Sequence, residues 1–221
     1  MAMSKELALL HDIVHCEEET HEGLTFHVGE LDGHRIVLHQ SGMGKVNAGV
    51  GAWALISHYS PDAVVNTGVA GAASAEVSVM DTVAAERVAY HDVWCGFDTP
   101  WGEVQGQPRY FEPPEWLLAA LPEHPRLKKG LTCTGDQFVD SLDVVNRIKS
   151  VHPEALAVDM ESAAMAHACH MRGVPFLSLR VISDSPAAAH DNWQQYSDFW
   201  VDAPKQSLAI VKGLIDNLIK N

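Results

Sequence analysis

Two short segments constrain this chain more than any others. Val158-Asp159-Met160-Glu161 closes one apolar run, and Arg180-Val181-Ile182-Ser183-Asp184 closes the next, with one helix's worth of sequence between them. Ala155–Asp159 reads as a buried strand. Met160–Arg172 has helical spacing and stops at Gly173, and Phe176–Ile182 reads as the following buried strand. In a parallel α/β sheet, a strand–helix–strand unit delivers both strand ends to the same edge, where ligands bind. Glu161 and Asp184, 23 positions apart, are therefore expected close in space. Arg180 stands an even number of positions before Asp184 and shares its strand face. Taken singly, Glu161 is a carboxylate at a helix start and Asp184 an N-cap for the next turn. Taken together they are an acid/base arrangement at one sheet edge.

The rest of the chain reads as one α/β domain over 1–221, a length that can bury a full core. Lys5–His15 has amphipathic helical spacing, with Leu7, Leu10 and Val14 on one face. Leu24–Leu31 and His34–Gln40 flank Asp32-Gly33, a two-residue hairpin signal. The second strand runs into Ser41-Gly42-Met43-Gly44-Lys45 and then a helix, with Val46, Val50, Trp53 and Ala54 expected inward. Ala63–Asn66 reads as a short buried strand leading into Thr67-Gly68-Val69-Ala70-Gly71, and Thr82–Tyr90 as another strand. Residues 91–114 form a long irregular loop rich in Trp, Phe, Pro and Gly, a length that usually serves function. Leu117–Leu121 begins a helical piece, and Lys128–Cys133 reads as a strand entering Thr134-Gly135-Asp136-Gln137-Phe138. Asp143–Val151 and a last segment carrying Leu208, Val211, Ile215 and Leu218 read as helices. A fold of this type normally opens on a buried strand. Here a helix begins almost at Met1, so either the first strand is missing ahead of it or the central mixed sheet is built one strand short.

Charge and composition exclude several classes. A net charge of −14 with scattered basic residues argues against a phosphate-backbone binder, so no nucleic-acid partner is expected. No apolar run approaches the roughly 18–20 residues of a membrane span, and the N-terminus lacks the apolar stretch of a signal peptide. Cys16, Cys95, Cys133 and Cys169 are far apart and fit free thiols in a reducing compartment, which makes a cytoplasmic location the expectation. The pairs His167/His170 and His91/Cys95 come nearest to ligand spacing but lack a third ligand, so no metal and no cofactor is expected.

Each remaining motif has two readings. Gly42-Met43-Gly44 is either a tight strand-to-helix turn or a backbone anion cradle. The small residues at 67–71 allow backbone to approach a ligand, or simply close packing. Phe138 is either a core aromatic or a base-stacking platform.

Six motifs occur in order: Ser41-Gly-Met-Gly-Lys-Val-Asn-Ala48, Asn66-Thr-Gly-Val-Ala-Gly71, Tyr90-His-Asp92, Thr134-Gly-Asp-Gln-Phe138, Val158-Asp-Met-Glu161 and Arg180-Val-Ile-Ser-Asp184. In this register the chain resembles the nucleoside phosphorylase/hydrolase superfamily, and within it the bacterial 5′-methylthioadenosine/S-adenosylhomocysteine nucleosidases. The resemblance implies an α/β fold and hydrolysis of an adenine N-glycosidic bond in a small-molecule nucleoside, without a cofactor. Asp184 resembles the general acid at adenine N7. Glu161 resembles the carboxylate that holds the ribose hydroxyls, and Met160 the side chain against the sugar. Phe138 is similar to the residue stacking on adenine, with Val139 offering backbone groups to the base edge. Ala2-Met-Ser-Lys-Glu6 is similar to the family's Ala-Met-x-x-Glu, which makes Glu6 the candidate base for the attacking water. Arg180 would position that water, with Met43, Val69, Ala70 and Gly71 near the ribose.

The chemistry fits these assignments. Breaking the bond builds oxocarbenium-like charge on the sugar, and adenine leaves poorly unless protonated, so Asp184 must carry a proton and Glu6 must not. Superfamily phosphorylases place arginines around their phosphate. Here the equivalent strand end is Asn66-Thr67 and the earlier loop offers only Lys45, so water is the expected nucleophile, with a phosphorylase kept open by Lys45. An aminofutalosine nucleosidase and a catalytically dead nucleoside-binding protein of the same fold also stay open. Two departures stand out. The family's opening strand, which would hold Glu6, is absent before Ala2, so Glu6 is expected to be loosely held. The 91–114 loop differs in composition from the family's form. The resemblance implies a homodimer in which this loop of the neighbouring subunit closes the 5′-substituent pocket.

Overall fold

Asp32 and Gly33 both adopt positive φ, 50° and 82°, as a two-residue hairpin turn compatible with strand twist requires. They join β2 (Leu24–Leu31) to β3 (His34–His39), which pair antiparallel from Leu31↔His34 to Phe26↔His39. The computed structural model describes residues 1–11, 13–186, 194–197, 199 and 204–220. Ahead of the hairpin stand α1 (Ser4–His11) and β1 (Cys16–His21), a strand that the sequence pattern does not disclose. Three consecutive glutamates hide its alternation, and it survives because it is an edge strand on β2, where charge is tolerated.

The remaining elements are α2 (Lys45–Tyr59), β4 (Val64–Ala72), β5 (Thr82–Tyr90), α3 (Glu115–Ala119), β6 (Leu127–Thr134), α4 (Leu142–Val151), β7 (Ala155–Asp159), α5 (Ser162–Arg172), β8 (Phe176–Asp184) and α6 (Pro204–Lys220). Strands β4–β8 form the expected mixed sheet, but it closes into a barrel in the order β4-β7-β6-β5-β8. Strand β8 runs parallel to β4 along Val64–Gly71 and antiparallel to β5 at Thr82–Ala84. All nine of its residues are buried. The expected short strand at 63–66 continues through the small-residue run to Ala72, because that run keeps pairing with β8.

The expected inward face of α2 is corrected by the structure. Val46, Val50 and Trp53 are 75%, 55% and 43% exposed, while Ala48, Gly51, Ala52, Ala54 and Ile56 are buried. Helix α2 packs on α5, whose inner face is Ala163, Ala164, Ala166 and Ala168. Two helices this close require small residues at the contact, which sends the large apolar ones outward. Helix α5 begins two residues later than expected, at Ser162. In the last helix Val211 is buried and Ile215 and Leu218 pack on the cluster of Leu7, Leu10 and Leu179. The side chain of Leu208 lies outside the described residues. Among the described residues no helix is long and apolar enough to cross a membrane, and no group of His, Cys, Asp and Glu could hold a metal ion.

Candidate active site

The C-terminal ends of β4, β6, β7 and β8 meet the start of α1 around a cleft of about 580 Å³, open to solvent. Every residue to which the resemblance gives a catalytic or substrate-binding role lines it: Glu6, Met43, Val69, Ala70, Gly71, Phe138, Val139, Met160, Glu161, Arg180 and Asp184. Glu6, Glu161 and Asp184 are 5%, 5% and 2% exposed. With Asp159, also buried and in the lining, four buried carboxylates thus face one cavity.

Glu6 is held firmly, contrary to expectation. It occupies the third position of α1, and its Oε2 accepts from the amides of Ala2 (2.8 Å) and Met3 (2.9 Å), the reach-back half of a capping box. Its Oε1 accepts from the Val69 amide at 3.1 Å, so one carboxylate ties the helix start to β4. A Cβ at Gly68 would lie 2.5 Å from both Glu6 Oε1 and Arg180 Nη1. The backbone must therefore be bare at that position for the two side chains to converge.

Glu161 stands at the N-cap of α5 but makes no side-chain cap there. The exposed amides of that turn are taken by others: Asp159 accepts from Ser162 N, and Thr134 Oγ1 from Ala163 N at 2.9 Å. The Glu161 side chain is released to reach across the cleft, where Oε1 accepts from Gly44 N at 2.9 Å and Oε2 lies 3.3 Å from Arg180 Nη2. Burial pushes its carboxyl pKa up, against the pull of Arg180 in the opposite direction. The turn that Asp184 was expected to cap lies outside the described residues. Asp184 is the last residue of β8, and Ser183 Oγ donates to its Oδ1 at 2.6 Å.

Arg180 is 1% exposed. Its Nε lies 2.8 Å from Asp159 Oδ2 and its Nη1 donates to the Val69 carbonyl at 3.4 Å. Burial alone would disfavour its charge, but Asp159, Glu161 and Glu6 more than offset that and raise its pKa. Asp159 belongs to the site without being among the residues singled out from the sequence. It also accepts from Thr134 Oγ1 at 2.5 Å and from Ser162 Oγ. Only its place in a motif could flag it, because its partners come from β6, α5 and β8.

Phe138, 39% exposed, follows the β6 end, and its ring meets that of Tyr196 edge-on at 5.8 Å. Tyr196 OH donates to Met3 Sδ at 3.2 Å. Met3 and Tyr196 complete the wall; Met3 lies within the Ala2–Glu6 motif, which gives it no role, and Tyr196 is far from every motif. The 91–114 loop contributes no residue to the cleft. Lys45 Nζ is 2.8 Å from both carboxylate oxygens of Asp92 and does not line the cleft.

A family model described as "Phosphorylase superfamily" matches residues 1–216. The protein of Actinobacillus succinogenes called 5′-methylthioadenosine/S-adenosylhomocysteine nucleosidase is 36% identical over 98% of this chain and 96% of its own. The S. pneumoniae structure of that name, with a transition-state inhibitor MT-ImmA, superposes with a TM-score of 0.91 at 36% identity, covering 98% of this chain and 96% of the other. The futalosine hydrolase of Helicobacter pylori gives 0.90 at 29% identity, covering 97% and 96%.

Proposed function

We propose that this chain, which belongs to the phosphorylase superfamily and within it to the 5′-methylthioadenosine/S-adenosylhomocysteine nucleosidases, hydrolyses the N-glycosidic bond of those two nucleosides and releases adenine. The observation that carries the reading is the convergence of Glu6, Glu161 and Asp184, all buried, on one cleft beside Phe138. A dead binding protein has no need of three buried carboxylates, each costly to desolvate.

In this mechanism adenine stacks on Phe138, with the backbone of Val139 at its edge. Glu161 accepts from the ribose hydroxyls, and Met43, Met160, Val69, Ala70 and Gly71 pack around the sugar. Asp184 gives its proton to N7 as the C1′–N9 bond breaks, so adenine departs neutral rather than as an anion. Positive charge grows on the ribose between Glu6 and Glu161. Water adds its oxygen to C1′ and surrenders a proton to Glu6, with Arg180 holding the carboxylates in register. The proton count balances: one leaves Asp184 and one arrives on Glu6.

Water rather than phosphate is the nucleophile because the available cations are committed. The Lys45 ammonium is paired by Asp92, and Asp136 lies 3.8 Å away. Arg180 is enclosed by Asp159 and Glu161. Four free cysteines, two of them buried, support a cytoplasmic location.

The same reading makes the whole chain a single catalytic domain working as a homodimer. Val46, Val50 and Trp53 on α2, Met171 on α5, and Trp94, Phe97 and Trp101 in the 91–114 loop are exposed apolar side chains. A second copy covering them would bring its own 91–114 loop toward the open cleft. A monomeric mass by light scattering at micromolar concentration would sink this part of the reading.

The decisive assay is adenine release from methylthioadenosine in phosphate-free buffer, with the sugar identified and aminofutalosine run as competitor. Free methylthioribose is expected. Release only on adding phosphate would make the protein a phosphorylase, and preference for aminofutalosine would move it to the futalosine branch.

A further inference from the structure

Three charged residues outside the cleft join the two loops that bear on substrate. Gly44 N donates to Glu161, and the next amide, Lys45 N, donates to Asp136 Oδ1 at 2.7 Å. The first amides of the 15-residue helix α2 are therefore satisfied by two carboxylates from distant chain, a placement the helix dipole favours. The Asp136 amide donates in turn to Asp92 Oδ2 at 2.8 Å, and Lys45 Nζ meets both oxygens of Asp92 at 2.8 Å. The contact is close: a Cβ at Gly44 would be 3.1 Å from Asp136 Oδ1. Asp92 and Asp136 follow β5 and β6, whose ends pair at Tyr90↔Thr134. The network thus closes a ring from β5 to the 134–139 loop, to the 41–45 loop, and back.

We propose that Asp92, acting through Lys45 and Asp136, is a positioning residue that sets the separation between the base-stacking loop of Phe138 and the ribose-side loop that orients Glu161. The inference rests on the nucleosidase reading for the identity of the ligand. The Lys45 and Asp92 side chains are 22% and 28% exposed, and an ordinary pair at that exposure contributes little to stability. What sets this pair apart is that its acceptor also binds a main-chain amide, so it fixes backbone, and contacts to a charged group are stronger than neutral ones.

Asp92→Ala, Lys45→Met and the double variant test it, with Lys212→Ala as control, since Lys212 pairs with Asp216 on the surface of α6. Asp92→Ala should raise KM for methylthioadenosine about tenfold, with kcat changed less than about threefold and Tm little altered, as expected for one lost charge-assisted contact. The double variant should be no worse than either single one, because both break the same ring. Asp92→Asn, which keeps an acceptor for Asp136 N, should recover part of the loss, and Lys212→Ala should match wild type. Adenine Kd by calorimetry is measured on the same set. If the wild type binds adenine without turning over nucleoside, the nucleosidase reading falls, and the clamp is judged by an expected tenfold weaker Kd in Asp92→Ala. Unchanged KM and Kd in Asp92→Ala, or additive losses in the double variant, would overturn the proposal. A wild type that binds no adenine overturns both.

Discussion

The amide of Gly44 donates to the Glu161 carboxylate at 2.9 Å, joining residues 117 positions apart. One oxygen of Glu161 is thereby committed to the α2 turn and the other faces Arg180, which orients the carboxylate before any ribose arrives. Glu161→Gln exchanges an acceptor for an amide between an N–H and a guanidinium, so kcat/KM should fall about 10–100-fold. Because burial raises the Glu161 pKa, the wild-type acid limb of kcat/KM should lie above the ordinary carboxylate range. Loss of substrate binding on the acid side should follow protonation of this group. A pH profile that keeps the same limb in Glu161→Gln would refute the assignment.

Asp184→Asn keeps the shape of the β8 end and the contact to Ser183 while removing the proton donor. Turnover should drop about 10²–10⁴-fold, with adenine affinity within a few-fold of wild type. Calorimetry and a steady-state assay together check this, and undiminished kcat is the result that removes Asp184 from the mechanism.

Gly68→Ala adds one methyl where Glu6 and Arg180 leave no room. Either both side chains shift or β4 does, and a displacement near 1 Å at reacting groups costs about 10²-fold in rate. The expected outcome is a folded, nearly inactive protein. Full activity would mean that the spacing of Glu6 and Arg180 does not matter.

His39, His91 and His152 are all buried, and burial lowers the pKa of each. The native state then binds fewer protons than the unfolded chain once pH falls through the unfolded histidine value, about 6.5. Their contribution is fully present above that pH and is lost below it. Glu161, shifted upward, works in the opposite sense, but His167 and the N-terminal amine, both shifted downward by burial, side with the three histidines. Tm should therefore decline between about pH 6.5 and 5, and His152→Gln should flatten the decline. A level Tm across that interval would contradict the argument.

How much of this is legible in the sequence varies by element. Thr82–Tyr90 and Ala155–Asp159 agree with the observed strands residue for residue, because each is rich in small and β-branched residues and is bounded by polar or turn-forming neighbours. Glu161, Arg180 and Asp184 are legible because they lie at strand ends that topology brings together, whereas Glu6, Met43, Val69 and Val139 are legible only through the family resemblance. Strand β1 is not legible, since pairing with β2 overrides its glutamates. The α2 face misleads because spacing identifies an apolar stripe without saying what covers it, and close approach to α5 reserves the inside for alanine and glycine. Asp159 and Tyr196 depend on partners from elsewhere in the chain, which no local pattern encodes.

Strand β8 is paired on both sides around Leu179–Ile182, by β4 along one edge and by β5 and the Met80-Asp81 backbone along the other. Its amides should be among the slowest in the molecule to exchange with deuterium, opening only when the whole barrel does. Arg180 and Asp184, the groups proposed for chemistry on this strand, therefore sit in the last part of the protein to melt. Catalysis lost on heating before global unfolding should trace to Glu6 on α1 rather than to β8.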